Sequence, residues 1–171
     1  MNLKERIRAI PDFPKAGIMF RDISPLLADP LALRETVRQL AETLRPYHLQ
    51  RIVAIESRGF LFGAPLALEL NCGLALVRKR GKLPGETITY NYLLEYGSDT
   101  LEIQSDALAS GERVAIVDDL LATGGTCAAA AALCRKAGGE VVAASFVIEL
   151  TALKGRENLG DLPSHALISY D

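Results

Sequence analysis

Residues 113–126 read RVAIVDDLLATGGT, and the fold is decided there. Val114, Ala115, Ile116 and Val117 form a short, largely β-branched apolar run, the pattern of a strand buried on both faces of a parallel sheet. Asp118 and Asp119 stand where that strand should emerge, and Ala122, Thr123, Gly124, Gly125 and Thr126 lead into an Ala-rich helix expected to begin near Cys127. In an open α/β sheet a ligand binds beyond the carboxyl ends of the strands, where the free N–H groups of the next helix attract an anion. A phosphate therefore belongs on residues 122–126. The two glycines allow close backbone approach, and the hydroxyls of Thr123 and Thr126 can donate to phosphate oxygens. Carboxylates would repel that phosphate, so Asp118 and Asp119 should instead meet a sugar diol, a Mg²⁺ ion or positive charge developing on a sugar ring. The ligand implied is a phosphorylated sugar. Two rival phosphate loops fail: no Lys follows Gly125 as a P-loop requires, and the stretch has no G-x-G for a dinucleotide.

Working outward, 171 residues suit one domain, and a domain of that size buries roughly 70% of its unfolded-chain surface. Hydrophobic residues make up 49% and charged residues 23%, an ordinary globular balance, and no apolar run approaches the roughly 20 residues of a membrane span. The N-terminal MNLKERIRAI is charged and amphipathic rather than a secretory signal, which predicts a cytoplasmic protein. A net charge of −2 does not favour a nucleic-acid partner. Cys72, Cys127 and Cys134 lack zinc-site spacing, and the latter two, on one helix, stand roughly 10 Å apart, too far for a disulfide. All three read as small buried hydrophobes, and His48 and His165 have no catalytic context.

Along the chain, the spacing of Leu3, Ile7 and Ile10 predicts a short helix stopped by Pro11. Residues 11–27, PDFPKAGIMFRDISPLL, read as an ordered irregular segment because three prolines and a glycine interrupt them. Asp29 as N-cap and Pro30 as first residue open a helix whose apolar face is Leu33, Val37, Leu40 and Leu44. Arg51–Ile55 repeats the central pattern: strand, the polar turn Glu56-Ser57-Arg58-Gly59-Phe60, then a helix through Leu70. Gly73–Val77 is the next strand, and Arg78, Lys79, Arg80 and Lys82 follow as a charged stretch that Gly81, Pro84 and Gly85 keep irregular. By composition alone that stretch is a solvated loop. Thr87–Tyr92 and Leu101–Gln104 form a hairpin or flap returning at 93–97; Glu140–Ile148 and Ala166–Tyr170 are the last strands, with a short helical segment at 151–158. Strands alternating with helices imply one α/β domain with a mostly parallel central sheet flanked by helices.

The stretch VAIVDDLLATGGT resembles the 5-phosphoribosyl-1-pyrophosphate (PRPP) signature of the type I phosphoribosyltransferases. SRGFLFGAPLALEL, RKRGKLPGETITYNYLLEYG, LEIQSDAL and VIELTALKGRENL, together with the N-terminal segment, extend the resemblance along nearly the whole chain and toward the adenine-accepting branch. It implies a small N-terminal hood over residues 11–27, a flexible loop over 79–97, and transfer of phosphoribose from PRPP to adenine, giving AMP and pyrophosphate for purine salvage. Residues 122–126 would then take the 5′-phosphate, and Asp118 and Asp119 the ribose. Glu56, Ser57, Arg58, Arg78, Lys79 and Lys82 would surround pyrophosphate, with Arg58 also catalytic. Met19, Phe20 and Arg21 would meet adenine, Phe20 by stacking and its neighbours through backbone groups. Glu95, in LLEYG, would handle the proton at N7. The resemblance further implies Mg²⁺ as cofactor, held mainly by PRPP near Asp118 and Asp119, and a homodimer. Without it, Met19 and Phe20 would read as ordinary core residues and Glu95 as an exposed flap carboxylate. Two alternatives remain at this point: the same chemistry on xanthine or hypoxanthine, which the GIMFRDI and LLEYG motifs disfavour, and a non-catalytic PRPP-sensing regulator, which would need an added module.

Overall fold

In the computed structural model, which describes residues 1–94 and 96–171, the chain begins with a single 3₁₀ turn, Leu3–Arg6. It continues into strand β1 (Arg8–Ile10), which pairs antiparallel with β2 (Phe20–Asp22), Ala9 opposite Arg21. The helix expected through Ile10 is thus not formed beyond Arg6. So short a helix is marginal by itself, and the backbone gains more by pairing with β2. The segment 11–27 is correspondingly more regular than its prolines suggest, since it contains β2 and the first turn and more of α1 (Ser24–Ala28).

Helix α2 (Pro30–Leu44) starts as expected: the Asp29 carboxylate accepts from the amides of Leu31 at 2.9 Å and Ala32 at 3.3 Å. Its buried stripe is Ala32, Thr36, Leu40 and Leu44, with Leu33 and Val37 only partly covered. The period is right and the face is turned by about one residue, because small side chains at 32 and 36 let the helix sit closely against its neighbours. Thr36 is tolerated there because its hydroxyl donates to the Ala32 carbonyl at 2.8 Å.

Strand β3 (Arg51–Ile55) leads to helix α3 (Gly59–Glu69) and strand β4 (Gly73–Lys79). Arg78 and Lys79 therefore end a strand rather than opening an irregular loop. The hairpin β5 (Thr87–Leu93) and β6 (Ser98–Gln104) follows, with β6 antiparallel to β4 at Arg78 and Lys79. Strand β7 (Arg113–Leu121), helix α4 (Gly125–Lys136), strand β8 (Glu140–Leu150) and strand β9 (Ser164–Tyr170) complete the order. The seven-stranded sheet runs β5-β6-β4-β3-β7-β8-β9, parallel from β4 to β9.

Alternate residues of the central strands feed two separate cores. Val53, Ile55, Val114 and Ile116 pack with Cys127, Ala130 and Leu133 of α4. Ile52, Ala115 and Val117 pack with Leu40 and Leu44 of α2 and Phe62 and Leu66 of α3 on the other face. Burial on both faces explains why these strands read as unbroken apolar runs. From β3 the chain moves outward to β4, and β7 lies on the opposite side of β3, so connections diverge between β3 and β7. That is a topological switch point, the place where α/β sheets form a ligand crevice. Among the described residues no helix is long and apolar enough to cross a membrane.

Candidate active site

The strand carrying the acids is longer than expected. β7 continues to Leu121, with Asp118 opposite Phe146 and Leu121 opposite Glu149 on β8, whereas pairing with β3 stops at Val117. Asp118 and Asp119 thus lie within a strand whose other flank has just lost its neighbour, and that gap is the mouth of the crevice. Arg58, from the turn after β3, reaches across it: its Nε donates to Asp119 Oδ2 at 2.6 Å. The Asp119 amide donates to Asp118 Oδ1 at 2.8 Å. Burial, and then the neighbouring Asp119, push the Asp118 carboxyl well above its ordinary range, with Arg58 offsetting only part. Among the described residues, no cation offsets that push in full.

Ala122, Thr123 and Gly124 turn the chain into α4, whose first residue is Gly125 rather than the neighbourhood of Cys127. Gly124 holds φ +83°, and a Cβ there would strike the carbonyl oxygen of Gly155. Gly155 is equally tight: a Cβ on it would come within 2.5 Å of the Ala122 carbonyl oxygen. Asn158 Nδ2 donates to the Thr123 carbonyl at 2.5 Å. The 3₁₀ turn Gly155–Leu159 thus braces the loop, a role for Gly155 and Asn158 that sequence reasoning missed, although both lie within VIELTALKGRENL. A cavity of about 220 Å³ results, walled by Arg58, Asp118, Asp119, Thr123, Gly124 and Thr126. Cys127 borders it as a buried thiol whose pKa burial pushes up, so it adds no nucleophile; burial likewise holds Cys134 up at about 12.

Beside the crevice, the Glu56 side chain is nearly buried and gathers the cationic stretch. It accepts from the Lys79 amide at 2.5 Å and from Lys82 Nζ at 3.2 Å, and lies 3.6 Å from Arg78 Nε. Burial alone would raise its pKa, but these donors outweigh that and leave it lowered. The Glu56–Ser57 peptide is cis. Lys79 Nζ pairs with Asp99 on β6 and lies 3.4 Å from the Tyr92 hydroxyl, which is 3.5 Å from Thr126 Oγ1. The flap hairpin therefore touches both the cation row and the phosphate loop.

The hood stands over the same edge. Phe20 packs edge-on against Phe13 with ring centroids 5.0 Å apart, and the Arg58 guanidinium lies 5.6 Å from the Phe20 ring. One arginine thus links the hood aromatic to the acid pair. Met19 is exposed, and the Arg21 side chain stacks on Tyr170. Of the expected site residues, Glu95 lies outside those the structure describes.

A switch-point crevice with a Gly-rich loop at a helix N-terminus, paired acids and a flanking cation row is the arrangement of the phosphoribosyltransferase class. The phosphoribosyl transferase domain model matches residues 25–159. Adenine phosphoribosyltransferase of Rhodospirillum centenum is 57% identical over 171 residues, spanning 100% of this chain and 99% of that protein. The crystal structure of adenine phosphoribosyltransferase from Thermoanaerobacter pseudethanolicus superposes with a TM-score of 0.96 at 52% identity, covering 98% of both chains. The Saccharomyces cerevisiae structure, crystallised with adenine and an imino-altritol bisphosphate, gives 0.91 at 43% identity, covering 96% of both. The chain belongs to the adenine phosphoribosyltransferase family.

Proposed function

We propose that the protein transfers the 5-phosphoribosyl group of PRPP to adenine, forming AMP and releasing pyrophosphate, a purine-salvage reaction. The observation that carries this reading is the Arg58 bridge, which brings an acid pair beside a phosphate loop within reach of a hood aromatic. The relatives named above carry the same activity in their names, and the yeast structure holds adenine.

In this reading the 5′-phosphate is cradled by residues 122–126 at the α4 N-terminus, where unpaired amides and the helix dipole favour an anion. N9 of adenine bonds to C1 of the ribose as the C1–O bond to pyrophosphate breaks and its electron pair departs with the leaving group. Positive charge develops on the ring meanwhile, as in other glycosyl transfers. Asp118 and Asp119 stabilise that charge and accept from the ribose hydroxyls. The hard oxygens of this pair suit Mg²⁺. Among the described residues no group of three or more His, Cys, Asp or Glu side chains is placed to hold a metal, so PRPP itself would supply most of the ligands. Bound there, the ion would neutralise pyrophosphate charge. Arg58, Arg78, Lys79 and Lys82 face the leaving group, with the Glu56 carboxylate holding the row together and Ser57 offering its amide. Lys79 must leave Asp99 for pyrophosphate, which links flap position to substrate. Glu95 takes the purine proton at N7.

Phe20 stacks on the base while backbone groups of Met19 and Arg21 pair with its amino edge. A 6-oxo purine reverses that donor and acceptor pattern, leaving buried groups unpaired. We place the reaction in the cytoplasm, which suits three free thiols, and in a homodimer, for which Leu61 and Leu68 on α3 and Leu76 on β4 are exposed apolar side chains.

Incubation with PRPP, Mg²⁺ and each of adenine, guanine, hypoxanthine and xanthine should give AMP and pyrophosphate with adenine alone. Turnover of a 6-oxo purine instead would overturn the base assignment, and PRPP binding without turnover would favour a sensor. Arg58→Met, which keeps bulk but loses the guanidinium, should lower kcat/KM about 100-fold. Steady-state kinetics retaining half the activity would remove Arg58 from the mechanism.

A further inference from the structure

We propose that Tyr170 is a positioning residue for adenine: by stacking on the Arg21 guanidinium it holds β2 in place over the crevice and so sets the affinity for the base. The inference rests on reading Met19, Phe20 and Arg21 as the base-binding residues.

The hood needs an anchor because, among the described residues, its two strands form their own sheet and pair with no strand of the main one. Its side chains do the anchoring. Phe20 reaches Arg58, whereas its Phe13 contact and the contacts of Asp22 with Arg8 at 2.7 Å and the Ser24 hydroxyl at 2.6 Å lie within the hood itself. Arg21, between Phe20 and Asp22, has Tyr170: its guanidinium carbon lies 3.8 Å from the ring centroid. Lys4 Nζ lies 4.5 Å from the same centroid and donates to the Ser169 carbonyl at 3.0 Å, so the N-terminal turn is tied to the same place.

Tyr170 itself is fixed to the sheet. It sits opposite Leu150 in the β8–β9 ladder, and its carbonyl accepts from Thr151 Oγ1 at 3.1 Å. β9 is parallel to β8, and β8 to β7, so Tyr170 emerges at the carboxyl edge that also carries the acid pair. A rigid ring at that edge therefore grips one flank of β2 while Arg58 meets the other. The stack also occupies the Arg21 side chain, which leaves its backbone to meet the base. Backbone readout tolerates little displacement, since a site loosened by about 1 Å loses its geometry.

Exposed to half-buried cation–π contacts correspond to a few-fold to ten-fold change in an equilibrium. Tyr170→Leu should therefore raise KM for adenine about three- to ten-fold, with kcat and KM for PRPP within two-fold of wild type. Tyr170→Phe keeps the ring and should restore wild-type values. Arg21→Met should reproduce the rise, and the double variant should add nothing further. An unchanged adenine KM in Tyr170→Leu would overturn the proposal. So would a parallel rise in both KM values with a lowered melting temperature, since that marks a merely structural residue. Wild-type protein that fails to convert adenine would instead sink the functional reading, so the two failures are distinguishable.

Discussion

Replacing Asp118 and Asp119 together with Asn is expected to lower kcat/KM by about 10³-fold or more while the chain stays folded. Removing one preorganised electrostatic partner typically costs about 10²- to 10³-fold, and this pair acts on a single developing charge. A double variant with near-normal turnover would refute the assignment. The single change Asp118→Asn carries a second expectation of opposite sign: the unliganded protein should become more stable at neutral pH. The folded-state pKa of Asp118 is raised, by burial first and by Asp119 next. Between the ordinary value of 3.8 and that raised value, the folded chain keeps a proton that the unfolded chain has released. Stability therefore falls as pH rises through this window, and the full penalty is present above it. Asparagine carries no such charge, so Asp118→Asn should flatten this part of the profile. Thermal unfolding of both proteins from pH 4 to pH 8 checks the sign, and a variant less stable than wild type at pH 8 would contradict it. The acid is then kept for chemistry at a cost in stability, as pre-strained sites often are.

Gly124→Ala should be the most damaging small substitution in the site. An L residue at φ +83° costs about 1–2 kcal/mol, and the overlap of the new Cβ with the Gly155 carbonyl adds about 1–3 kcal/mol, because both partners are backbone. The loop must move away from the Gly155–Leu159 turn to relieve it, and the phosphate amides move with it. KM for PRPP is expected to rise about 100-fold, with an unfolding free energy lowered by roughly 2–5 kcal/mol. Gly111→Ala is the control: φ is +76° there, yet nothing lies within 4 Å of the added Cβ. It should lose about 1–2 kcal/mol and leave PRPP binding alone. Equal effects of the two on PRPP binding would show that contact with Gly155 is irrelevant.

Much of this was legible from short-range constraints. The runs at 51–55, 114–117 and 140–148 are apolar because both sheet faces are covered, and such runs read directly as central strands. Asp29 and Pro30 announce α2 because a cap and a fixed φ act locally. The order of acids, Gly-rich turn and helix at 118–126 likewise sits within one strand–helix unit, so the phosphate site proposed there was legible from sequence alone. Where the reading slipped, a partner distant in sequence had decided the outcome. Residues 8–10 are a strand because Phe20–Asp22 lie beside them, and Arg78 and Lys79 are strand residues because β6 pairs with them. The gap beside Asp118 exists because β3 ends at the level of Val117, which depends on sheet order. The brace from Gly155 and Asn158, the Asp99 counter-charge on Lys79 and the grip of Tyr170 on Arg21 join residues 20 to 149 positions apart. The sequence by itself determined the central strands, the helices α2 to α4 and the Gly-rich turn, since periodicity, capping and backbone freedom are properties of neighbours along the chain. Only the tertiary structure decided how the hood, the acids and the cation row meet, because those contacts depend on strand order and packing across distant segments.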